Sequence, residues 1–230
     1  MIATPLGSVL TFIFNFTHNY ALSIIILTIL IKVVLFPLSI KQISSTKKMG
    51  EVQPKIKQLQ EKYKNNKEQL NIKTMELYKE HKINPLSGCL PMLIQLPILF
   101  GLFAVLRDPT TYVFAGSAEL STAALSKGFL WVKDLSMPDL MSNVWPAGPS
   151  FFIGLPGILP IFSSISTYVQ MSTMSTTQNS TTKTMAYTMP LIILWFGKTF
   201  TAGLMIYWTV SNLFQMAQQY FTNKVYKVQS

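Results

Sequence analysis

One fixed charge, Lys32, stands near the middle of an otherwise apolar run, Tyr20 to Ile40 (YALSIIILTILIKVVLFPLSI). About 20 apolar residues carry a helix across a bilayer core, and a lysine at that depth costs roughly 2.5–3.5 kcal/mol on insertion scales. Such a cation can recover its solvation in two ways. It can snorkel toward the headgroups, but Lys41, the next basic residue, lies ~13 Å further along a helix, more than a lysine stem spans without tilt or local thinning. Alternatively it faces a wet, protein-lined cavity and acts there as an electrostatic site for anions. Thr28 lies one turn earlier on the same face.

Two further apolar stretches carry polar residues at helical spacing. Ser163, Thr167, Gln170 and Met174 fall at i, i+4, i+7 and i+11, and Trp208, Ser211, Asn212, Gln215 and Gln219 at i, i+3, i+4, i+7 and i+11. Gln95 stands in another apolar stretch. For any one of these residues, hydrogen bonding between helices is explanation enough, at about 0.6 kcal/mol per pair. Together with Lys32 they predict a shared hydrated cavity. The stripes run toward one end of their helices, while prolines, glycines and bulky apolar residues gather at the other. The cavity is therefore expected to open inward and close outward, with no through-pore. This is the chemistry of solvation and charge. The sequence presents no nucleophile–base pair, phosphate loop or metal-ligand cluster, so neither an enzyme nor a cofactor is expected.

The elements that would position these residues follow from composition. The 230 residues are 49% hydrophobic and 12% charged, the latter about half the usual globular share, so the expected class is an all-α polytopic membrane protein. The single cysteine, Cys89, excludes an internal disulfide. Residues 1–19 space Leu6, Val9, Leu10, Ile13, Phe14 and Phe16 as an interfacial amphipathic helix does. They lack the basic start and A-x-A site of a signal peptide. The first span is 20–40. Residues 41–85 then hold eleven lysines and five glutamates. Val52, Ile56, Leu59 and Tyr63 mark one helix there. Asn66 with Gln69, or Asn65 with Glu68, caps a second, giving a helical hairpin outside the bilayer. Four more spans are expected at 86–106, 151–174, 185–196 and 202–221. A mixed outer loop covers 107–150, a short inner loop 175–184 and a tail 222–230. With the hairpin cytoplasmic, fourteen basic residues lie inside and four outside, which places the N-terminus out and the C-terminus in. The net charge of +10 then faces the anionic inner leaflet, and no specific nucleic-acid site is expected.

Four motifs give the chain a family resemblance. Asn84-Pro85-Leu86-Ser87-Gly88-Cys89-Leu90-Pro91-Met92-Leu93-Ile94-Gln95-Leu96-Pro97-Ile98 resembles the signature at the second conserved span of the YidC insertase family. So do Gln53-Pro54-Lys55-Ile56, the outer-loop segment Leu130-Trp131-Val132-Lys133-Asp134-Leu135-Ser136, and Val210-Ser211-Asn212-Leu213 in the last span. The resemblance runs in order from about Pro5 onward. It implies a membrane insertase of the bacterial plasma membrane with a five-span core and a hydrophilic groove. Nascent membrane proteins and the bilayer would be its partners, and a Sec-type translocon and the ribosome are further candidates. Lys32 matches the family's central positive residue, which is more often arginine; Gln170 and Trp208 match groove residues. The large outer domain of the Gram-negative branch is missing, which points to a Gram-positive-type member. The rival expectation is a small transporter or anion channel with Lys32 as its binding site. The chain shows no internal repeat and no carboxylate within a span to relay protons, so it gives that reading little support.

Overall fold

Proline positions and capping side chains set where the long apolar runs begin and end as helices. The computed structural model describes residues 2–84, 90–152, 154–174 and 180–228. Helix α1 spans Ala3–Thr17 and ends at His18, whose left-handed backbone (φ 50°) turns the chain. Asn19 then caps α2, Tyr20–Val34, by accepting from the Leu22 amide at 3.0 Å. The chain bends by 63° before α3, Phe36–Lys62. The single span expected over 20–40 is thus corrected: α2 ends at Val34, and residues 36–40 begin the next helix. Pro37 is the physical reason, since it lacks an N–H and its ring crowds the carbonyl of residue 33 in a continuous helix.

Helix α4, Lys67–Glu80, completes the expected hairpin, and the Asn66 side chain caps it by accepting from the Gln69 amide at 3.0 Å. Val52, Gln53 and Ile56 are the buried residues of α3, whereas α4 buries none. Pro54 also interrupts the hydrogen-bond ladder of α3. Hydrogen exchange is therefore expected to be faster across residues 44–82 than across the apolar helices, with 52–56 its slowest part. Protection across the whole hairpin equal to that of the apolar helices would make it a packed structural element instead.

Helix α5 spans Leu90–Arg107; residues 85–89, including much of the second-span signature and Cys89, lie outside the described residues. The loop expected at 107–150 is more ordered than its composition suggests. It contains α6 (Pro109–Tyr112), α7 (Ala118–Leu125), α8 (Met141–Val144) and a tight turn in which Phe129 and Val132 exchange backbone hydrogen bonds. Gly128 enters this turn at φ +65°, and a Cβ there would lie 2.4 Å from the Val132 carbonyl oxygen.

The expected third span, 151–174, is also corrected. Helix α9 covers only Ile158–Met174, because Gly154 (φ +80°) and Pro156 turn the preceding residues into a bridge with Leu140. Helix α10 runs over Ser180–Gly197, beginning before the expected 185, and residues 175–179 of the loop expected at 175–184 fall outside the described residues. Helix α11 spans Ala202–Val228, so most of the expected tail continues the last helix.

The core lies where α1, α2, α5 and α11 meet, around Leu10, Ile24, Leu27, Leu102, Leu106 and Tyr207. Helix α9 packs between α10 and α11. Gly7 lets α1 approach the loop, since a Cβ there would stand 2.4 Å from the Tyr112 carbonyl oxygen. Among the described residues no single helix is long and apolar enough to cross a membrane; the bent pair α2–α3 meets that test together.

Candidate functional site

The side chain of Lys32 points into the protein and is 7% exposed, while Val33 and Val34 beside it lie open on the opposite face. Its Nζ donates to Gln95 Oε1 of α5 at 3.4 Å. Gln95 Nε2 in turn donates to the Tyr207 hydroxyl of α11. Lys32, Gln95 and Tyr207 thus form a chain across three helices. Among the described residues no carboxylate lies within ion-pair distance of Lys32. Ser211 lies one turn beyond Tyr207, facing the same hydroxyl. Thr28 is fully buried one turn before Lys32, and its hydroxyl donates back to the Ile24 carbonyl at 2.6 Å.

A second polar cluster joins α9 to α11. Ser163 Oγ stands 2.7 Å from Thr209 Oγ1 and donates to the Met205 carbonyl at 3.2 Å. Thr167 Oγ1 receives both Trp208 Nε1 at 3.0 Å and Asn212 Nδ2 at 2.8 Å. Asn212 also reaches Ser166 Oγ at 3.0 Å. Toward the far end, Gln219 Nε2 donates to the Thr173 carbonyl at 2.8 Å. The two stripes face one another, and their hydroxyls and amides satisfy each other along the seam.

The expected site residues therefore divide. Lys32 and Gln95 come together on the side of α2 and α5. Ser163, Thr167, Trp208 and Asn212 form the α9–α11 seam. Gln170 is 8% exposed on α9, Ser211 is 7% exposed on α11, and Gln215 is half-buried one turn after Ser211.

Residues 12–229 match the family described as 60Kd inner membrane protein. The chain belongs to this family. Within it, the chain is similar to the membrane protein insertase YidC of Fusobacterium nucleatum subsp. nucleatum. The two are 40% identical over 219 residues, covering 94% of this chain and 93% of that protein. It is 40% identical over 211 residues to the YidC insertase of Pelodictyon phaeoclathratiforme, covering 91% of this chain but only 34% of that longer relative. Among solved structures it resembles the active YidC insertase crystal structure with the first transmembrane domain resolved. That match has a TM-score of 0.68 at 28% identity and covers 94% of this chain and 46% of the other. The likeness extends the all-α, membrane-type reading to nearly the whole chain.

Within this YidC-type fold, Tyr207, Thr209 and Ser166 join these polar contacts although they lie off the stripes that helical spacing marks. Tyr207 reads as one more aromatic among apolar neighbours. Its signal was the small residues Gly203 and Ser211 one turn to either side, which mark a face that packs closely. Ser166 and Thr209 lie one position off the stripes, where a wider polar arc would have included them.

Proposed function

We propose that this protein is a membrane protein insertase in which Lys32 is the electrostatic centre of an inward-open hydrophilic groove. The observation that carries this reading is a buried lysine whose hydrogen-bond partner is a neutral amide and which has no carboxylate in ion-pair range among the described residues. A cation out of water without a counter-ion attracts an anion strongly, because the local dielectric is low. An acidic residue near the translocated end of a nascent membrane protein is an anion of the right kind. By displacing the Gln95 amide it would gain a partner partway through the bilayer. That lowers the cost of carrying polar groups through hydrocarbon. The client's apolar helix would then leave past α9 and α11 into lipid, driven by hydrophobic partition.

In this reading α2, α5, α9, α10 and α11 cross the plasma membrane of a bacterium, with the N-terminus outside and the C-terminus in the cytoplasm. The asymmetry of basic residues supports that orientation, and the family's description supports the membrane. Helix α1, with Phe12 and Phe16 exposed, would lie at the outer interface. The hairpin would stand in the cytosol.

Photo-crosslinkers at Ser211 and Gln215 are expected to capture a nascent single-span client, while one at exposed Val33 captures lipid. Equal client capture from Val33 would remove the groove from the mechanism. Cysteines at Gln170 and Ser211, which at 8% and 7% exposure are buried less deeply than Thr28, should react with a water-soluble thiol reagent from the cytoplasmic side. Thr28→Cys, at 1% exposure, should react most slowly. If Gln170→Cys and Ser211→Cys stay unlabelled while a hairpin cysteine labels, the groove is dry.

A further inference from the structure

The segment Leu135–Asp139 reaches the first turns of both α9 and α11. The Leu135 carbonyl accepts from the Gly203 amide at 3.1 Å, and the Met137 carbonyl accepts from Ala202 at 2.8 Å. Two residues on, the Asp139 carbonyl accepts from Gly157 at 2.9 Å, and its Oδ2 accepts from the Leu159 amide at 2.7 Å. These are amides that a helix leaves without internal partners at its start. Asp139 caps α9 as an N-cap side chain would, although it lies 20 residues away in sequence. Its negative charge also sits at the positive end of the helix dipole. The carboxylate is 1% exposed, and Trp131 Nε1 donates to the same oxygen at 3.2 Å. Gly157 makes room for it, since a Cβ there would lie 2.6 Å from the carboxylate.

We propose that Asp139 is a positioning residue for insertion: through this strap it clamps together the outer ends of α9 and α11, the two helices of the polar seam, and so keeps the site closed toward the outside. The seam itself consists of neutral hydrogen bonds donated by side chains, most of them to other side chains, each worth little. The outer ends are held differently, by backbone carbonyls and one buried carboxylate. A pair of helices fastened this way yields first at the unclamped end. The assignment of the strap to the outer side rests on the orientation given under the proposed function.

The test reads accessibility from each side separately. In a cysteine-free background, Met205→Cys reports on the clamped end, because Met205 is fully buried one turn into α11. Ser211→Cys reports on the groove from the other side. In right-side-out vesicles an impermeant thiol reagent should label Met205→Cys slowly. Adding Asp139→Ala should speed that labelling about tenfold, the scale of losing one charged cap from local opening. Gly157→Ala should do the same by displacing the carboxylate. Asp139→Asn, whose amide oxygen can still accept from Leu159, should restore most of the protection. Labelling of Ser211→Cys in inverted vesicles should stay as it is, so failure of the groove reading shows there and failure of the clamp only at Met205→Cys. Unchanged labelling of Met205→Cys with both Asp139→Ala and Gly157→Ala overturns the proposal. If Asp139→Ala does not accumulate in the membrane, an unchanged rate with Gly157→Ala overturns it alone.

Discussion

Replacing Gln95 by glutamate is expected to silence Lys32 while leaving the lysine in place. The Gln95 amide oxygen already stands 3.4 Å from Nζ, so a carboxylate there becomes an internal counter-ion at ion-pair distance. At an effective dielectric of ~20 and a separation of ~4 Å, that attraction is ~4 kcal/mol. A client carboxylate must then compete with a tethered one, and even a third of this energy, ~1.4 kcal/mol, is a tenfold change. Insertion of acidic clients should fall at least about tenfold, and melting temperature should not, because the buried cation has gained a partner. Gln95→Leu makes the converse case. It removes the neutral placeholder and leaves Lys32 uncompensated, so acidic clients should still insert. Equal loss in both variants, measured as protease-protected client in proteoliposomes, would mean that Gln95 matters for packing against Tyr207 and not for the charge beside it.

The second large effect concerns the sign of the charge at position 32. Lys32→Arg should retain insertion, because attraction needs a cation and not the shape of its head group. Lys32→Ala should lower insertion of acidic clients by about tenfold on the same Coulomb scale. Lys32→Glu should be worse than alanine, since it turns attraction into repulsion beside the amide of Gln95. An order of Arg, Ala, Glu in falling activity supports an electrostatic role. Alanine and glutamate at the same level would point to a packing role. Stability kept or raised without activity would be the expected companion of alanine, since replacing a buried charge by an apolar group is often neutral or stabilising.

Periodicity made much of this architecture legible. Lys32 stood out because a charge within a membrane-length apolar run has few explanations, and its side chain does turn into the protein. The stripes of Ser163, Thr167 and Gln170, and of Trp208, Ser211 and Asn212, are polar faces in the sequence, and Ser163 and Thr167 of the first hydrogen-bond to residues of α11. What such spacing does not contain is the partner of each face. Much of the α9 stripe meets α11, and Lys32 meets α5, a division decided by how the helices pack. Local chemistry read well where it was strictly local, as at Asn66, which caps α4 four residues after the preceding helix ends. It failed at Pro37, where a proline inside an apolar run ended the helix that hydropathy carried through to Ile40. It failed more completely at Asp139. That residue looked like one acid in a mixed loop, because a cap supplied from 20 residues away leaves no sequence motif around the helix it caps.

The central claim is that Lys32 works by attracting acidic groups of the client. It is tested most directly by inserting one single-span client in two versions, with and without the acidic residues of its translocated end, into vesicles carrying wild-type protein or Lys32→Ala. Attraction predicts that alanine lowers insertion of the acidic version about tenfold and barely changes the neutral one, which takes only hydration from the groove. Equal loss for both versions would contradict charge attraction and leave Lys32 the lesser role of keeping the groove wet.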